Sequence, residues 1–138
     1  MILDPSDEIL TLFHRRLSLT YDGKEYKVYT VVPKNVEFDY VLMAPVELVD
    51  DSTKDNFIYE CTQLFDIVTF GGERGSWKAC NSLASQIMDE IQRQDITTTN
   101  FKGTVEPFLD STNHFIEEVE GGLIMRKLIR FRYNLQQI

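Results

Sequence analysis

Two cysteines, Cys61 and Cys80, and two histidines, His14 and His114, are the residues of this 138-residue chain whose types suit nucleophilic catalysis, with a thiolate attacking and an imidazole as base. Their surroundings argue against that chemistry. Cys61 falls on the apolar side of an alternating stretch and Cys80 on the apolar side of a helical one, where burial raises a thiol's pKa and leaves it inert. His14 adjoins Arg15 and Arg16, and His114 ends the polar run Ser111-Thr112-Asn113-His114, which reads as a turn; both suit solvent. Two histidines without a carboxylate pattern make no zinc or iron constellation, and two cysteines are too few for a disulfide framework. The residues therefore predict no catalytic group, no metal and no cofactor.

Gly71-Gly72-Glu73-Arg74-Gly75, ahead of a helical stretch, invites a phosphate-loop reading because helix N-termini bind anions. It lacks both G-x-x-x-x-G-K-[ST] and G-x-G-x-x-G, and Glu73 would repel the ligand, so it reads as a strand-to-helix connection. Glu117 and Glu118 would point to opposite faces of a strand and make a poor acid/base couple. Arg126, Arg130 and Arg132 are more informative. They share one side of the closing strand while Met125, Ile129, Phe131 and Tyr133 share the other, which gives a basic face to a chain of formal charge -8. A solvated sheet face would explain them. The sharper reading makes these three arginines subunit contacts that meet acidic surface on a neighbouring copy, either Asp50, Asp51 and Asp55 or Glu117, Glu118 and Glu120. Head-to-tail contacts of that kind close into rings.

The elements that must position these residues follow from composition and period. With 43% hydrophobic and 26% charged residues, residues 1–138 are expected to form one ordered domain with one core. The 22 acidic against 14 basic residues disfavour tight binding to nucleic acid or anionic lipid. No run approaches the roughly 18 apolar residues of a membrane span, and the first ten residues carry three acids and no base, so a soluble cytoplasmic chain is expected. Asp4-Pro5-Ser6-Asp7 starts a helix that runs to Leu17, with Ile9, Leu10, Phe13 and Leu17 on one face. A turn at Tyr21-Asp22-Gly23-Lys24 precedes a strand over 25–32. A second strand is expected over 40–49, with Pro45 marking an edge or bulge. Beyond the polar loop 50–56, the alternation over 57–70 predicts a long half-buried strand too long for a small domain unless it bends or projects. Ser76 would cap a helix ending near Gln92, with Trp77, Cys80, Leu83, Ala84, Ile87, Met88 and Ile91 on one face. Strands over 101–109, 115–120 and 123–135 follow, the last two as a hairpin about Gly121-Gly122. The expected fold is α+β: a mostly antiparallel sheet covered by a long amphipathic helix, plus an N-terminal helix.

This order of elements resembles the tail terminator, or tail completion, family of long-tailed bacteriophages. The likeness covers nearly the whole length. It rests on the N-terminal helix, Phe38-Asp39-Tyr40-Val41-Leu42, the long strand through Thr62 to Phe70, the helix from Trp77 to Ile91, and the closing strand from Met125 to Tyr133. Members often carry Pro where this chain has Asp39. The resemblance implies a virion protein at the head–tail junction, made in the bacterial cytoplasm. Such a protein forms a homo-oligomeric, hexameric ring, caps the tail tube, ends its polymerisation and meets the head connector. It implies three partners: further copies of itself, the tail tube protein and the connector. DNA would pass through the acidic lumen without tight binding. No enzyme activity is implied. A head-closure or neck protein is the alternative within that class, and a small cytoplasmic cysteine hydrolase is the alternative outside it.

Overall fold

Asp4 starts the first helix as its sequence requires. In the computed structural model, which describes residues 2–17, 20–21, 24–93, 95–103 and 106–138, Asp4 Oδ1 accepts the Ser6 backbone N–H at 2.9 Å and the Ser6 hydroxyl at 2.6 Å. Helix α1 then spans Ser6–Leu17 and buries Ile9, Phe13 and Leu17, one residue per turn along a single stripe. Short strands β1 (Thr20–Tyr21) and β2 (Lys24–Glu25) pair antiparallel; Asp22 and Gly23, the centre of the expected turn, lie outside the described residues. The chain continues through β3 (Lys27–Tyr29), β4 (Tyr40–Met43), β5 (Glu47–Asp50) and β6 (Ile58–Phe70), helix α2 (Lys78–Gln92), and β7 (Phe101–Gly103), β8 (Phe108–Val119) and β9 (Gly122–Gln137).

The main sheet runs β3-β4-β6-β9-β7, with β5 also on β6 and β8 also on β9. Its spine is the antiparallel β6–β9 pair, in register from Ile58↔Gln136 to Phe70↔Ile124. Odd-numbered residues of both strands face the helices. There Phe13 meets Phe65 and Tyr133 edge-on, with ring centroids 5.6 and 5.8 Å apart, and Phe65 meets Phe131 at 6.1 Å. Helix α2 adds Cys80, Leu83, Ala84, Ile87 and Ile91 to this core. A smaller cluster of Tyr40, Val68 and Ile124 lies on the other face.

Several expectations are corrected. The sheet is not an antiparallel one covered by a long amphipathic helix. Strands hold 44% of the chain in a curled, mixed sheet, and β3 pairs parallel to β4. Length is the physical reason. Fifteen residues make α2 about 22 Å long, whereas the 16 residues of β9 extend about 53 Å. One short helix cannot cover such a sheet, and α1 and α2 together leave its far face open.

The strand expected over 40–49 divides at Ala44-Pro45-Val46 into β4 and β5, because Pro45 cannot donate to the ladder. The buried Gln63 side chain fills the gap and donates to the Ala44 carbonyl. The strand expected over 101–109 is likewise two pieces, β7 ending at Gly103 and β8 beginning at Phe108, while Thr104 and Val105 lie outside the described residues. Ser111-Thr112-Asn113-His114 is not a turn: it is the middle of β8, paired with β9 after a bulge between Leu109 and Ser111. Ser76 acts one residue early; Trp77 is the cap residue of α2, and Ser76 Oγ accepts the Lys78 N–H at 3.3 Å.

Candidate assembly surface

The even positions of β9 place Arg126, Arg130 and Arg132 on the sheet face away from both helices, all half-buried, as their alternation with Met125, Ile129, Phe131 and Tyr133 predicts. Two of the three already have partners within the chain. Arg126 forms an ion pair and hydrogen bond with Asp66 of β6, and its Nη1 lies 3.6 Å from a Glu117 oxygen on β8. Arg132 lies 3.6 Å from Glu60 and 3.5 Å from Asp110. Asp66 is only 6% exposed, so Arg126 is the group that makes burial of its charge tolerable. Hydrogen bonding to Asp66 in turn holds the Arg126 guanidinium above its ordinary pKa. Arg130, opposite Leu64 and Ser111, has no ion pair among the described residues.

Sequence reasoning missed Asp66 and Glu60 as the arginines' partners. The signal was present, since Glu60, Thr62 and Asp66 alternate onto one face of β6. Only the adjacency of β6 and β9, some sixty residues apart in sequence, turns it into a contact.

Beside the arginines, β8 pairs with β9 alone among the described residues, and no residue of it is buried. Phe115 and Ile116 are 50% and 57% exposed, and Phe108, Leu109 and Val119 are also exposed. The strand expected over 57–70 to bend or project is β6, which lies inside the sheet between β4 and β5 on one side and β9 on the other; the exposed strand is β8. His114 rests edge-on against Trp77 with ring centroids 4.9 Å apart, which anchors this strand to the start of α2.

The other candidate residues serve the fold. Cys61 and Cys80 are fully buried. Burial, with help from Glu60, pushes the Cys61 thiol up to about 12, and burial also raises Cys80. His14 and His114 are on the surface of α1 and β8. Among the described residues no group of three or more His, Cys, Asp or Glu side chains is placed to hold a metal ion, and no helix is long and apolar enough to cross a membrane.

The glycine loop is a clasp between the two halves of the sheet. Gly71 N–H donates to the Leu123 carbonyl at 2.8 Å, and Leu123 N–H donates back to Gly72 at 2.9 Å. A Cβ on Gly71 would stand 2.5 Å from Met125 Cγ, and Gly75, at φ +74°, would strike Leu123. Glu117 and Glu118 lie on opposite faces, opposite Ile124 and Leu123. A groove of about 580 Å³ between α1 and residues 95–99 is lined by Asp7, Glu8, Arg15 and Arg16. Two of its charges help close the fold: Asn100 donates twice to Glu8, at 3.0 and 3.2 Å, and Arg16 donates to the Asp95 carbonyl.

No family model and no curated protein matches this chain. Its fold is similar to that of a solved chain from the virion of a native gene transfer agent (GTA) particle, at a TM-score of 0.63 and 18% identity, over 79% of this chain and 78% of that one.

Proposed function

We propose that this chain is a structural virion protein that caps a phage tail tube, ends its polymerisation and joins the tail to the head connector as a ring of six copies. The observation that carries this reading is the fold shared with a chain of a gene transfer agent virion over nearly four-fifths of both chains, taken with the tail-terminator-like order of elements in the sequence. The work is surface matching. One rim copies the end of a tube layer, and the other refuses a further tube subunit and accepts the connector.

Arg126, Arg130 and Arg132 are the subunit contacts. The first and last are steadied by their own chain's acids, and Arg130 supplies the charge left over for acidic surface such as Asp50, Asp51 and Asp55 of the next copy. With a net charge of -8, six copies surround the lumen with negative charge, and DNA slides through without sticking.

The test adds the purified protein to polymerising tail-tube subunits and images the products. Short tubes with ring-shaped ends, together with a discrete oligomer by light scattering, are the expected result. Tubes that lengthen as if it were absent overturn the capping role; rings that bind connector but not tube make it a head-closure protein. Arg130→Glu is expected to shift the ring toward monomer, and an unchanged oligomer profile removes that assignment.

A further inference from the structure

Helices α1 and α2 pack on one face of the main sheet, and among the described residues no helix covers the other. On that open face the register sets Tyr40 of β4, Val68 of β6, Arg126 of β9 and Phe115 of β8 in one row, with Phe70, Ile124 and Glu117 in the row beside it. Tyr40, Val68 and Ile124 form a nearly buried floor. Phe38, stacked on Tyr40 and tilted against Phe70, stands over it. The rings at the rim stay wet: Phe38, Phe70 and Phe115 are 43%, 44% and 50% exposed. Next to Phe115 a groove of about 350 Å³ opens between Arg126 and Leu128. Contiguous exposed aromatic surface of this kind marks an interaction site.

The surroundings of this patch are acidic. Residues 34–40, 66–75 and 115–126, which build this end of the sheet, hold seven carboxylates against three cations, a net of -4 in a chain of -8. Arg126 is spent on Asp66 and Glu117. Glu37, Glu118 and Glu120 are exposed and make no ion pair among the described residues.

We propose that the patch seats a basic amphipathic helix of a different protein. Charge selects the occupant: a second copy would bring a further -8, whereas Lys or Arg beside apolar side chains meets Glu37, Glu118 and Glu120. Shape selects a helix. A sheet that carries helices on one face is completed by a helix on the other, and the row from Tyr40 to Phe115 crosses four strands, about 14 Å, close to the length of three helical turns at about 16 Å. Apolar side chains at i, i+4 and i+7 then lie over Phe38 and Phe70, over Val68 and Ile124, and in the groove beside Phe115. Because it lies toward the hairpin end of β9, away from Arg130 and Arg132, this site does not depend on ring formation.

The experiment titrates the full-length protein into a labelled synthetic amphipathic helix of about 18 residues, leucine on one face and lysine on the other, and follows fluorescence anisotropy. Micromolar binding is expected, with none for the same peptide carrying glutamate in place of lysine. Phe38→Ser/Phe115→Ser and Glu118→Lys/Glu120→Lys, which change exposed residues of the patch, are each expected to weaken binding at least about 10-fold. Glu47→Lys/Glu106→Lys, the same change in net charge at exposed residues outside the patch, is expected to leave binding unaltered. A photoreactive group on the peptide is expected to label the wild-type chain within residues 34–40, 66–75 or 115–126, a readout that needs no variant to fold.

Absent binding, patch variants that bind like wild type, or labelling elsewhere overturns the proposal. Equal weakening by Glu47→Lys/Glu106→Lys reduces the contact to attraction between net charges and overturns the site as well. A wild-type oligomer that Phe38→Ser/Phe115→Ser converts to monomer makes a second copy the occupant and removes the partner helix.

Discussion

Along β9, Met125, Ile129, Phe131, Tyr133 and Leu135 are each no more than 2% exposed, whereas Arg126, Leu128, Arg130 and Arg132, which alternate with them, are all half-buried. One strand therefore borders two environments. On the helix side, close packing decides each position, and Phe13, Phe65, Phe131 and Tyr133 interlock edge to face. On the open side, charge decides: acids from β6 and β8 are set against the arginines, and the apolar area is left to a small cluster and to exposed β8. The contrast separates what holds the fold from what is available to a partner.

The largest expected effect breaks the helix side. Phe131→Ala removes a ring from a fully buried position and is expected to cost about 3–5 kcal/mol in urea unfolding. Phe115→Ala, one strand away and 50% exposed, is expected to change monomer stability by no more than about 0.5 kcal/mol. Equal losses would mean that the open side is a core in its own right, and the contrast would fail.

Cys61 sharpens the same contrast chemically. It lies on the helix side of β6, and burial first, then Glu60, pushes its thiol from the ordinary 9.0 up to about 12. Labelling by a disulfide reagent at pH 8 is expected to be at least about 100-fold slower than for the unfolded chain, since far less of the buried thiol is thiolate at that pH. The linkage has a definite sign. Because the folded pKa is raised, the thiol's contribution is full below pH 9 and is lost as pH rises toward 12. Cys61→Ala is expected to flatten the alkaline fall in stability, and brisk native labelling would contradict the burial.

These two sides were not equally legible in the sequence. The helix side was nearly all readable, because period alone assigns Ile9, Phe13 and Leu17, Cys80 to Ile91, and the odd residues of β6 and β9 to one core. The sheet's shape was not. Pro45 marked an interruption in the strand over 40–49, but that β3 joins β4 in parallel and that α2 leaves a face of the sheet uncovered depend on which strands become neighbours. Local pattern carries no such information. The run from Ser111 to His114 was misread for a related reason: polar residues on a strand exposed on both faces have the composition of a turn, and only pairing with β9 tells them apart. The arginines were found by alternation, but Asp66 and Glu60 came to them only through the fold.

The ion pair between Asp66 and Arg126 is the place where the open side behaves most like an interior. Arg126→Leu leaves the Asp66 carboxylate buried without its cation and is expected to cost about 1–2 kcal/mol, less than for a fully enclosed pair because water reaches the guanidinium. Removing the charge as well, in Asp66→Leu/Arg126→Leu, is expected to recover most of that loss, and a double-mutant cycle measures the coupling. Arg130→Leu, with no such partner, is expected to leave monomer stability within about 0.5 kcal/mol. A single-variant loss at Arg130 as large as at Arg126 would show that exposed charge, and not the buried carboxylate, stabilises this face.

The smallest effect tests the outer margin of the helix side, where α1 begins. Asp4 accepts both the Ser6 N–H and the Ser6 hydroxyl, and these bonds hold its carboxyl below the ordinary value of 3.8. Asp4→Ala is expected to cost about 0.5–1 kcal/mol at pH 7, at the low end for a cap because the site is exposed to water. Since the folded pKa is the lower one, the advantage is present above pH 4 and disappears as pH falls through the folded value. Unfolding curves of wild type and variant should therefore run apart at neutral pH and converge in acid. A gap that persists at pH 2 would mean that Asp4 acts through packing near Pro5 and not through its charge, and the cap would no longer account for the start of the helix.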